Sequence, residues 1–392
     1  PARILSQPLL ITGRAMKLSK KVVWIVFVIV IVGVAIIVGG RQGGGSDTIT
    51  IGVIGPLTGD GATYGEPRHQ TIALTVDEIN ATGGIDGREL VVIEEDGKCN
   101  GTDAANAMRK LANVDQVKIV MGGFCSGESI AAEPIATEAK ILLISDGSTS
   151  PDLTDVSPYF VRLYPTADKQ TELLAQLAMD QGWKKVAVMK EQTEYASGLA
   201  ASIDAAMESL GRTVVEEAFA TTDTDVRTSL TKLQATDPDA LFFAVQTSVT
   251  GEKILTNLAD LGWSPQILLN NVMVGSPETL AKYPALLEGA FGAHVGLAGD
   301  SNFEAFLSKF VTQYGAPPAH ESYMAAGYDT LWLLKEGIEE VGENPEALSQ
   351  WFRGIRDRRG ASGVITLQQN GDRASGYTLA QVVGGEAVPY GP

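Results

Sequence analysis

Hydrophobic residues follow two alternating patterns from Thr48 onward. Short β-branched runs are typical of buried parallel strands. They alternate with longer stretches in which apolar residues recur three and four positions apart, as on one face of a helix. In the first half, the predicted strands are 49–54, 89–95, 118–121 and 141–145, and the predicted helices are 66–80, 102–112 and 127–139. This order predicts a parallel sheet with helices on both faces.

The same alternation starts again after Pro165. The predicted helices here are 167–181, 195–210 and 251–261, and the predicted strands are 185–189, 213–219, 240–245 and 267–269. Two of the helices end in Gly-Trp, at 182–183 and 262–263, which predicts a C-terminal glycine cap followed by a buried indole. A single core stops growing at roughly 250–300 residues. Two such series in 392 residues therefore predict two α/β lobes.

The C-terminal part has a different pattern. It begins with two predicted helices, 302–314 and 322–341. It ends with predicted strands at 364–367 and 377–383, joined through a turn at Asn370-Gly371. These two strands predict a terminal hairpin.

One stretch near the N-terminus has neither periodicity. Residues 22–38 read VVWIVFVIVIVGVAIIV, and two glycines extend the run to residue 40. As a helix, about 19 uncharged residues cross most of a bilayer core of roughly 30 Å. Three lysines precede the run within residues 17–21 and only Arg41 follows closely. The positive-inside rule therefore places residues 1–21 in the cytoplasm and the body outside.

Two interpretations of this run remain open. It is longer than the apolar core of a cleaved signal peptide, and no Ala-x-Ala site follows it. This favours an uncleaved transmembrane anchor at 22–40, followed by a flexible linker at 41–47. A cleaved signal would predict export equally well. Residues 1–15 precede Met16, and translation from Met16 would leave them out.

The acidic composition narrows the range of partners. The chain carries 30 Lys and Arg against 47 Asp and Glu, a net charge of −17. It therefore lacks the basic stripe with which proteins displace counterions from nucleic acid. The hydrophobic fraction of 44% is raised by the apolar run. We expect no nucleic-acid partner.

Motifs for catalysis and metal binding are missing from the sequence. The three histidines, His69, His294 and His320, do not have the spacing of a zinc site. The glycines around Ser126 do not fall at the positions of a Gly-x-Ser-x-Gly nucleophile elbow. We therefore expect no enzymatic activity, no cofactor and no metal.

The two cysteines, Cys99 and Cys125, are expected to pair. A disulfide is the default for two cysteines in an exported chain. The bond would tie the loop after the second predicted strand to the loop after the third. It would stabilise the fold by about 3 kcal/mol on the chain-entropy estimate.

Two loops rich in hydrogen-bond donors follow neighbouring predicted strands. Ser126 begins a helix after the third strand, and Ser-Asp-Gly-Ser-Thr-Ser at 145–150 follows the fourth. Such residues often serve only as helix caps and turns. Open α/β sheets, however, bind ligands at the carboxyl ends of their strands, and helix N-termini bind anions. The two loops together favour a binding site for an anionic group.

Five segments in a fixed order carry a family resemblance. They are IGVIGPLTG at 51–59 with Tyr64-Gly65, DEINATGGIDGR at 77–88, FCS at 124–126, STSPDLT at 148–154, and GVI to NGD at 363–372. From about residue 48 to residue 383, the chain resembles the branched-chain amino-acid-type (Leu/Ile/Val-binding-like) periplasmic solute-binding proteins of ABC transporters.

The resemblance implies the type I periplasmic-binding fold, in which two Rossmann-like lobes with parallel sheets close on a ligand and are joined by three crossings. The crossings would lie near Tyr164, near 294–297 and near Ser362. Residues 48–164 and 297–361 would then form the first lobe, and residues 165–296 and 362–392 the second. The two cysteines match a disulfide of the family.

The resemblance also assigns ligand-binding roles. Ser126 and Thr149, next to Ser148, match positions whose hydroxyls and N–H groups hold the α-carboxylate of a ligand. Gly147 matches a position whose carbonyl accepts from the α-ammonium. Tyr195 matches an aromatic residue that closes over the ligand from the second lobe. Tyr64 lies in the first loop, where members contribute a side-chain wall.

Asn271 is a departure from the family pattern, because amino-acid binders place an acid there for the ammonium. Either Asp146 or Glu321 replaces that acid, or the ligand has no free ammonium. Near Gln246 an aromatic residue of the amino-acid binders is also missing, which weakens the prediction of branched-chain specificity.

The expected function is an extracytoplasmic solute-binding receptor. It would close on an amino acid or a small amide-like solute and present it to an ABC permease in the membrane. The alternative is a ligand-sensing ectodomain for a separate membrane signalling partner, which an uncleaved anchor would suit.

Overall fold

The computed structural model describes residues 48–59, 61–297 and 299–391. The predicted leader, membrane segment and linker, residues 1–47, lie outside the described residues. Within the described ranges, no helix is both long enough and apolar enough to cross a membrane.

Five parallel strands form the first sheet. They are β1 (Thr48–Gly55), β2 (Glu89–Asp96), β3 (Ile119–Met121), β4 (Leu142–Ser145) and β5 (Phe160–Arg162). Their order in the sheet is β2-β1-β3-β4-β5. The connecting helices are α1 (Ala62–Ala81), α2 (Gly101–Asn113) and α3 (Ser126–Ala139). Every residue of β3 and β4 is buried, which explains their short continuous apolar sequences.

The second sheet begins after β5. Its strands are β6 (Lys185–Glu191), β7 (Thr213–Phe219), β8 (Ala240–Ala244), β9 (Ile267–Leu269) and β10 (Phe291–His294). Its helices are α4 (Ala167–Asp180), α5 (Glu194–Ser209), α6 (Arg227–Gln234), α7 (Ser248–Leu261), α8 (Asn271–Val274), α9 (Pro277–Lys282) and α10 (Pro284–Leu287). The glycines of both predicted Gly-Trp joins have left-handed φ angles, +75° at Gly182 and +63° at Gly262, as expected for helix caps. Both indoles are partly buried.

The remaining elements contribute to both lobes. They are α11 (Ser301–Tyr314), α12 (Glu321–Val341), α13 (Pro345–Arg353), β11 (Arg358–Gly360), β12 (Gly363–Ile365), β13 (Thr378–Val383) and β14 (Glu386–Pro389). Helix α12 packs on α1, and β11 pairs with β12 in a separate ribbon. The seven-stranded second sheet has the order β14-β13-β10-β9-β8-β6-β7, with β13 and β14 antiparallel at one edge. The structure thus has two α/β lobes. The first lobe is built on the first sheet, and the second lobe on the second sheet.

The end of the chain differs from the prediction in two ways. Strand β12 does not form a hairpin with β13; the terminal hairpin is β13–β14. The chain also leaves the first lobe after Arg373 rather than near Ser362. The reason is that Ile365 and Leu367 belong to the core of the first lobe, and Asp372 forms an ion pair with Arg162 of β5.

The strand orders determine where a ligand can bind. In the first sheet, β1 lies between β2 and β3, so the connections run in opposite directions on its two sides. In the second sheet, β6 lies between β7 and β8 in the same way. Open α/β sheets bind ligands in the crevice beyond such a switch point. A ligand site is therefore expected at the loops that follow β1, β3, β6 and β8.

Candidate functional site

A cleft between the lobes lies at these strand ends. Its lining residues come from loops and helices of both lobes: Tyr64, Phe124, Cys125, Ser126, Gly147, Tyr195, Gln246, Val272 and Tyr323. The structure therefore brings four of the sequence-predicted residues to one cavity, namely Tyr64, Ser126, Gly147 and Tyr195.

The first-lobe side of the cleft is built around the first residue of α3. The Ser126 hydroxyl oxygen accepts hydrogen bonds from the backbone N–H groups of Thr149, at 3.3 Å, and Ser150, at 3.2 Å. A hydroxyl has two acceptor lone pairs and one donor hydrogen. Both lone pairs of Ser126 are used, so its hydrogen is left to donate. The position at a helix N-terminus favours an anionic acceptor.

Thr149, whose backbone N–H donates to Ser126, carries a second hydroxyl on this side, although it does not line the cavity. Its side-chain oxygen is buried and has no hydrogen-bond partner in the described chain. A buried polar atom without a partner costs about 1–3 kcal/mol, and native proteins keep few of them. A ligand oxygen that accepts from this hydroxyl would remove the cost.

The neighbouring loop residues shape the site. The Ser148 hydroxyl is directed to the backbone carbonyls of Gly123 and Phe124, at 3.0 and 3.2 Å, so it holds two loops together. At Gly147, a Cβ atom would lie 2.6 Å from the Phe124 ring. Glycine is therefore required for the close approach of this backbone to the cavity wall.

The second-lobe side carries a network of neutral polar side chains. The Asn271 side-chain oxygen accepts from the Tyr195 hydroxyl at 3.1 Å and from the Gln170 amide at 3.2 Å. Gln170 in turn accepts from the Asn271 backbone N–H at 3.1 Å. The Asn270 amide donates to the Val245 carbonyl at 2.6 Å. These bonds fix Tyr195, which lines the cavity, and Asn271, which does not.

Direct hydrogen bonds cross the cleft and hold it closed. The Tyr64 hydroxyl donates to the Gln246 carbonyl at 2.8 Å, and the Asn271 amide donates to the Tyr323 hydroxyl at 2.7 Å. In this conformation the cavity has a volume of about 20 Å³, which accommodates little more than one water molecule. A larger ligand therefore has to replace some of these bonds.

The closed lobes touch at two glycines. A Cβ atom on Gly127 would lie 2.8 Å from the Glu194 carboxylate, and one on Gly198 would lie 2.7 Å from the Ser150 hydroxyl. Gly127 lies on α3 of the first lobe and Gly198 on α5 of the second, so a side chain at either position would require Glu194 or Ser150 of the opposite lobe to move. The glycines thus permit the closed conformation.

An aromatic cluster forms one wall of the cavity. The Tyr323 ring stacks on Tyr164, with 4.0 Å between the ring centroids, and lies 5.4 Å from the ring of Phe124. The Tyr64 ring packs against Phe124 at 5.0 Å. Burial raises the pKa of the Tyr64 and Tyr323 hydroxyls well above the usual range, so both remain protonated donors.

Three buried carboxylates near the cleft already accept hydrogen bonds. Asp146, one candidate for an ammonium partner, accepts from the Arg68 guanidinium at 2.8 and 2.9 Å. Glu191 accepts from the Gln246 N–H at 2.7 Å and from the Thr250 hydroxyl at 3.2 Å. Glu128 lies behind Ser126, and burial raises its pKa to about 7. The other candidate, Glu321, is half-buried and does not line the cavity.

The predicted disulfide is confirmed. Cys99 and Cys125 are bonded, with 5.2 Å between their Cα atoms. The bond joins the loop after β2 to the residue just before α3. Glu128 reinforces this junction, because its carboxylate accepts from the N–H groups of both cysteines at 2.9 Å.

Sequence reasoning missed several residues of the cavity wall, among them Gln246, Phe124 and Tyr323. Gln246 follows β8, so the rule that selected Ser126 could also have selected it. Tyr323 gave no signal, because one aromatic residue in an amphipathic helix looks like a core residue. The binding roles of the predicted residues, including Thr149 and Asn271, remain predictions. No group of His, Cys, Asp and Glu side chains in the described residues could hold a metal ion.

Known proteins are similar in sequence to most of the chain. The chain is 28% identical over 336 residues to the Leu/Ile/Val-binding protein BraC3 of Rhizobium johnstonii, covering 83% of this chain and 89% of that protein. It is 27% identical over 314 residues to an amino acid binding protein of Pseudomonas aeruginosa, covering 78% and 82% of the two chains.

A solved structure of a leucine binding protein also has a similar fold. The crystal structure of the leucine binding protein LivK from Thermotoga maritima superposes with a TM-score of 0.79 at 25% identity, covering 88% of this chain and 98% of that one. The sequence profile of the Periplasmic binding protein family matches residues 48–386. The chain therefore belongs to the periplasmic binding protein family.

Proposed function

We propose that this protein is the extracytoplasmic solute-binding receptor of an ABC importer, and that it closes on a small solute with a carboxylate, such as an amino acid. The observation that carries the proposal is the hydroxyl of Ser126, the first residue of α3, together with that of Thr149 in the loop after β4, whose backbone N–H donates to Ser126. The Ser126 hydroxyl accepts two N–H groups, and the Thr149 hydroxyl is buried with no partner among the described residues. Both can donate to one carboxylate at a helix N-terminus.

The remaining polar groups of the cleft suit the other end of such a solute. Tyr195 and Asn271 present a neutral hydroxyl and a neutral amide from the second lobe, and the Gln246 carbonyl, which accepts from Tyr64 in the closed cleft, can accept from a ligand in its place. A ligand that bridges both lobes stabilises the closed state by its differential affinity for that state. The relatives whose names refer to leucine, isoleucine and valine, or to amino acids in general, support an amino acid as the first candidate.

Calorimetry with a defined panel of solutes tests the proposal. The full chain is heated in detergent with each of the common amino acids, with the same carbon skeletons lacking the amino group, and with their uncharged amides. A ligand at a hundred times its Kd adds about 2.7 kcal/mol to the unfolding free energy. We expect the melting temperature to rise for at least one carboxylate-bearing solute. No rise with any carboxylate would contradict the proposal.

The partner is tested separately. We propose that the closed receptor contacts a membrane permease driven by an ATPase. The alternative partner is a membrane signalling protein, which the apolar run at 22–38 favours if it remains as an anchor. Crosslinking in native membranes with and without the ligand, followed by mass spectrometry, distinguishes the two. Recovery of a permease supports transport, and recovery of a histidine kinase supports sensing.

A further inference from the structure

The wall of the cleft cavity is uncharged. Among the described residues that line it, none is an aspartate, glutamate, lysine, arginine or histidine. A ligand that carries an ammonium group would therefore enter the closed cleft without a carboxylate in the wall to pair with. Burying a charge without an opposite charge costs far more free energy than burying a neutral polar group that can form hydrogen bonds.

The carboxylates nearest to the cleft do not supply this partner. Asp146 forms an ion pair within the first lobe, and Glu191 and Glu128 accept from backbone N–H groups. Glu194 lies across the cleft from Gly127 but is exposed, so water and salt screen its charge. None of these four acidic residues lines the cavity. A ligand ammonium would thus depend on neutral acceptors alone.

Two helices begin at the cavity, one in each lobe. Ser126 is the first residue of α3 and Tyr195 is the second residue of α5, and both line the cavity. A helix N-terminus carries a partial positive charge, which favours anions and disfavours cations within the first turn. An acidic residue in the first turn of each helix, Glu128 or Glu194, offsets part of this charge. Neither lines the cavity, so both helix ends favour a carboxylate over an ammonium there.

The cavity wall contains two hydroxyl hydrogens that no described residue accepts. One belongs to Ser126, whose oxygen accepts two backbone N–H groups. The other belongs to Tyr323, whose hydroxyl oxygen accepts from the Asn271 amide at 2.7 Å and forms no hydrogen bond as a donor within the described chain. Burial raises the pKa of the Tyr323 hydroxyl, so it keeps its proton. Both hydroxyls can therefore donate to a ligand.

The same wall contains two neutral acceptors without a donor. The Gln246 amide nitrogen donates to the Cys99 sulfur at 3.1 Å, while the side-chain oxygen of Gln246 accepts from no described residue. The backbone carbonyl of Gly147 also receives no hydrogen bond from the described chain. Both residues line the cavity. The wall thus offers a ligand donors and acceptors, all of them neutral.

The chemistry of the ligand group that meets this wall follows from these two kinds of partner. An ammonium group can only donate hydrogen bonds, and a ketone oxygen can only accept them. A hydroxyl group does both. A hydroxyl can therefore accept the free hydrogen of Tyr323 and donate to a free acceptor of the wall, and it brings no charge into the cavity.

We propose that the cleft selects a small 2-hydroxy carboxylate over the 2-amino acid with the same carbon skeleton. This inference rests on the proposed function, whose class of carboxylate-bearing solutes it narrows. The carboxylate of the ligand accepts from the Ser126 hydroxyl at the N-terminus of α3. The 2-hydroxyl group accepts from Tyr323 and donates to the Gly147 carbonyl or to the side-chain oxygen of Gln246.

Titration calorimetry on the full chain in detergent tests the inference with matched pairs of solutes. The pairs are lactate and alanine, 2-hydroxy-4-methylpentanoate and leucine, and 3-phenyllactate and phenylalanine. The proteins are the wild type, Tyr323→Phe and Gln246→Glu. Tyr314→Phe is the control for the first variant, because the Tyr314 hydroxyl donates to the Gln70 carbonyl outside the cleft cavity. Gln313→Glu, at an exposed position of α11, is the control for the second. Circular dichroism melting establishes that each variant is folded.

The expected result is that at least one 2-hydroxy acid binds the wild type about tenfold or more tightly than its amino counterpart. Tyr323→Phe should reduce this ratio by about threefold to tenfold, because only the hydroxy acid loses a hydrogen bond. Gln246→Glu should reverse the preference, because it gives a ligand ammonium a carboxylate in the wall. Y314F and Q313E should keep the ratio of the wild type.

The outcomes separate this inference from the proposed function. If an amino acid binds the wild type at least as tightly as its 2-hydroxy counterpart in every pair that binds, the inference is overturned, while the proposed function still holds. A ratio that is unchanged in both Y323F and Q246E also overturns the inference. If no carboxylate of these pairs or of the melting panel binds, the proposed function fails, and the inference fails with it.

Discussion

The two sides of the cleft differ in the hydrogen-bonding capacity that they leave for a ligand. On the first-lobe side, the Thr149 hydroxyl has no partner among the described residues, and the Ser126 hydrogen at the N-terminus of α3 is left to donate. On the second-lobe side, Asn271 already bonds to Gln170, Tyr195 and Tyr323. The first-lobe side is thus prepared for an anion, whereas the second-lobe side is occupied by bonds within the protein.

This difference suggests how binding and closure are divided between the lobes. A ligand carboxylate gains hydrogen bonds on the first lobe without breaking any bond of the protein. On the second lobe, a ligand has to exchange protein–protein bonds such as Asn271–Tyr323 for protein–ligand bonds, and such exchanges contribute little net free energy. We therefore expect affinity to depend mainly on the first lobe, and selectivity among solutes mainly on the second.

The largest effect should come from removing the two first-lobe hydroxyls. In Ser126→Ala/Thr149→Val, the ligand loses two hydrogen bonds to a charged group, worth about 1.5–3 kcal/mol each. We expect affinity to fall more than a hundredfold while the fold is retained, as measured by titration calorimetry with the solute found in the melting screen. The matched control is Ser209→Ala/Thr312→Val, whose hydroxyls donate to carbonyls of their own exposed helices. Equal affinity in the two double variants would refute the assignment of the carboxylate site.

The next largest effect concerns the rigidity of the first-lobe side. Replacing both cysteines, in Cys99→Ser/Cys125→Ser, opens a loop with a sequence separation of 26. The chain-entropy estimate predicts a loss of about 3 kcal/mol in unfolding free energy. Urea unfolding of the oxidised wild type, the reduced wild type and the variant measures it. If the reduced wild type and the variant are as stable as the oxidised protein, the disulfide does not hold this side of the cleft.

Much of the fold could be predicted from the sequence because its signals are local. Buried parallel strands are short apolar runs, so β1, β3 and β4 were recognisable. Strand β5 was missed because Phe-Val-Arg is too short to show a pattern, and its buried Arg162 is neutralised by Asp372 from a distant part of the chain. The terminal pairing was wrong for a related reason. Nothing in residues 364–367 indicates that Ile365 and Leu367 enter the core of the first lobe.

The residues of the cleft also fall into two groups, those that a local sequence signal predicts and those that it does not. Ser126 and the 145–150 loop follow predicted strands, so one rule about strand ends selected them. Tyr323 and Gln170 reach the cleft from helix faces, and their partner Asn271 is 52 and 101 positions away respectively. Contacts over such separations depend on how the helices pack within each lobe and across the cleft, which no local pattern records. The Arg68–Asp146 pair, which engages one candidate for the ammonium partner, is also a contact of this kind.

A smaller effect tests selectivity on the second-lobe side. Asn271→Asp keeps the acceptor for Tyr195 and Gln170, and the Tyr323 hydroxyl can rotate to donate to the new oxygen. The carboxylate adds a charge-assisted bond to a ligand ammonium, so leucine should gain about tenfold to a hundredfold in affinity relative to 4-methylpentanoate, which lacks the amino group. Titration of both solutes measures the ratio. Asn113→Asp, an exposed position on α2, is the control for net charge. A ratio that does not change in N271D would place the ammonium elsewhere.

The last effect is a pH trend from the buried support of the first-lobe side. Burial raises the pKa of Glu128 from 4.5 to about 7. Between these values the folded state keeps a proton that the unfolded state has lost, so the unfolding free energy falls as pH rises through this window. In Glu128→Gln this contribution is absent, although the amide still accepts from one of the two cysteine N–H groups. Urea unfolding at pH 5, 6, 7 and 8 should therefore give a wild-type curve that declines relative to E128Q up to about pH 7 and then runs parallel to it.

Glu172→Gln, at an exposed position of α4, should follow the wild type. A wild-type curve parallel to that of E128Q from pH 5 would mean that Glu128 is already ionised there, and that its two N–H bonds outweigh its burial.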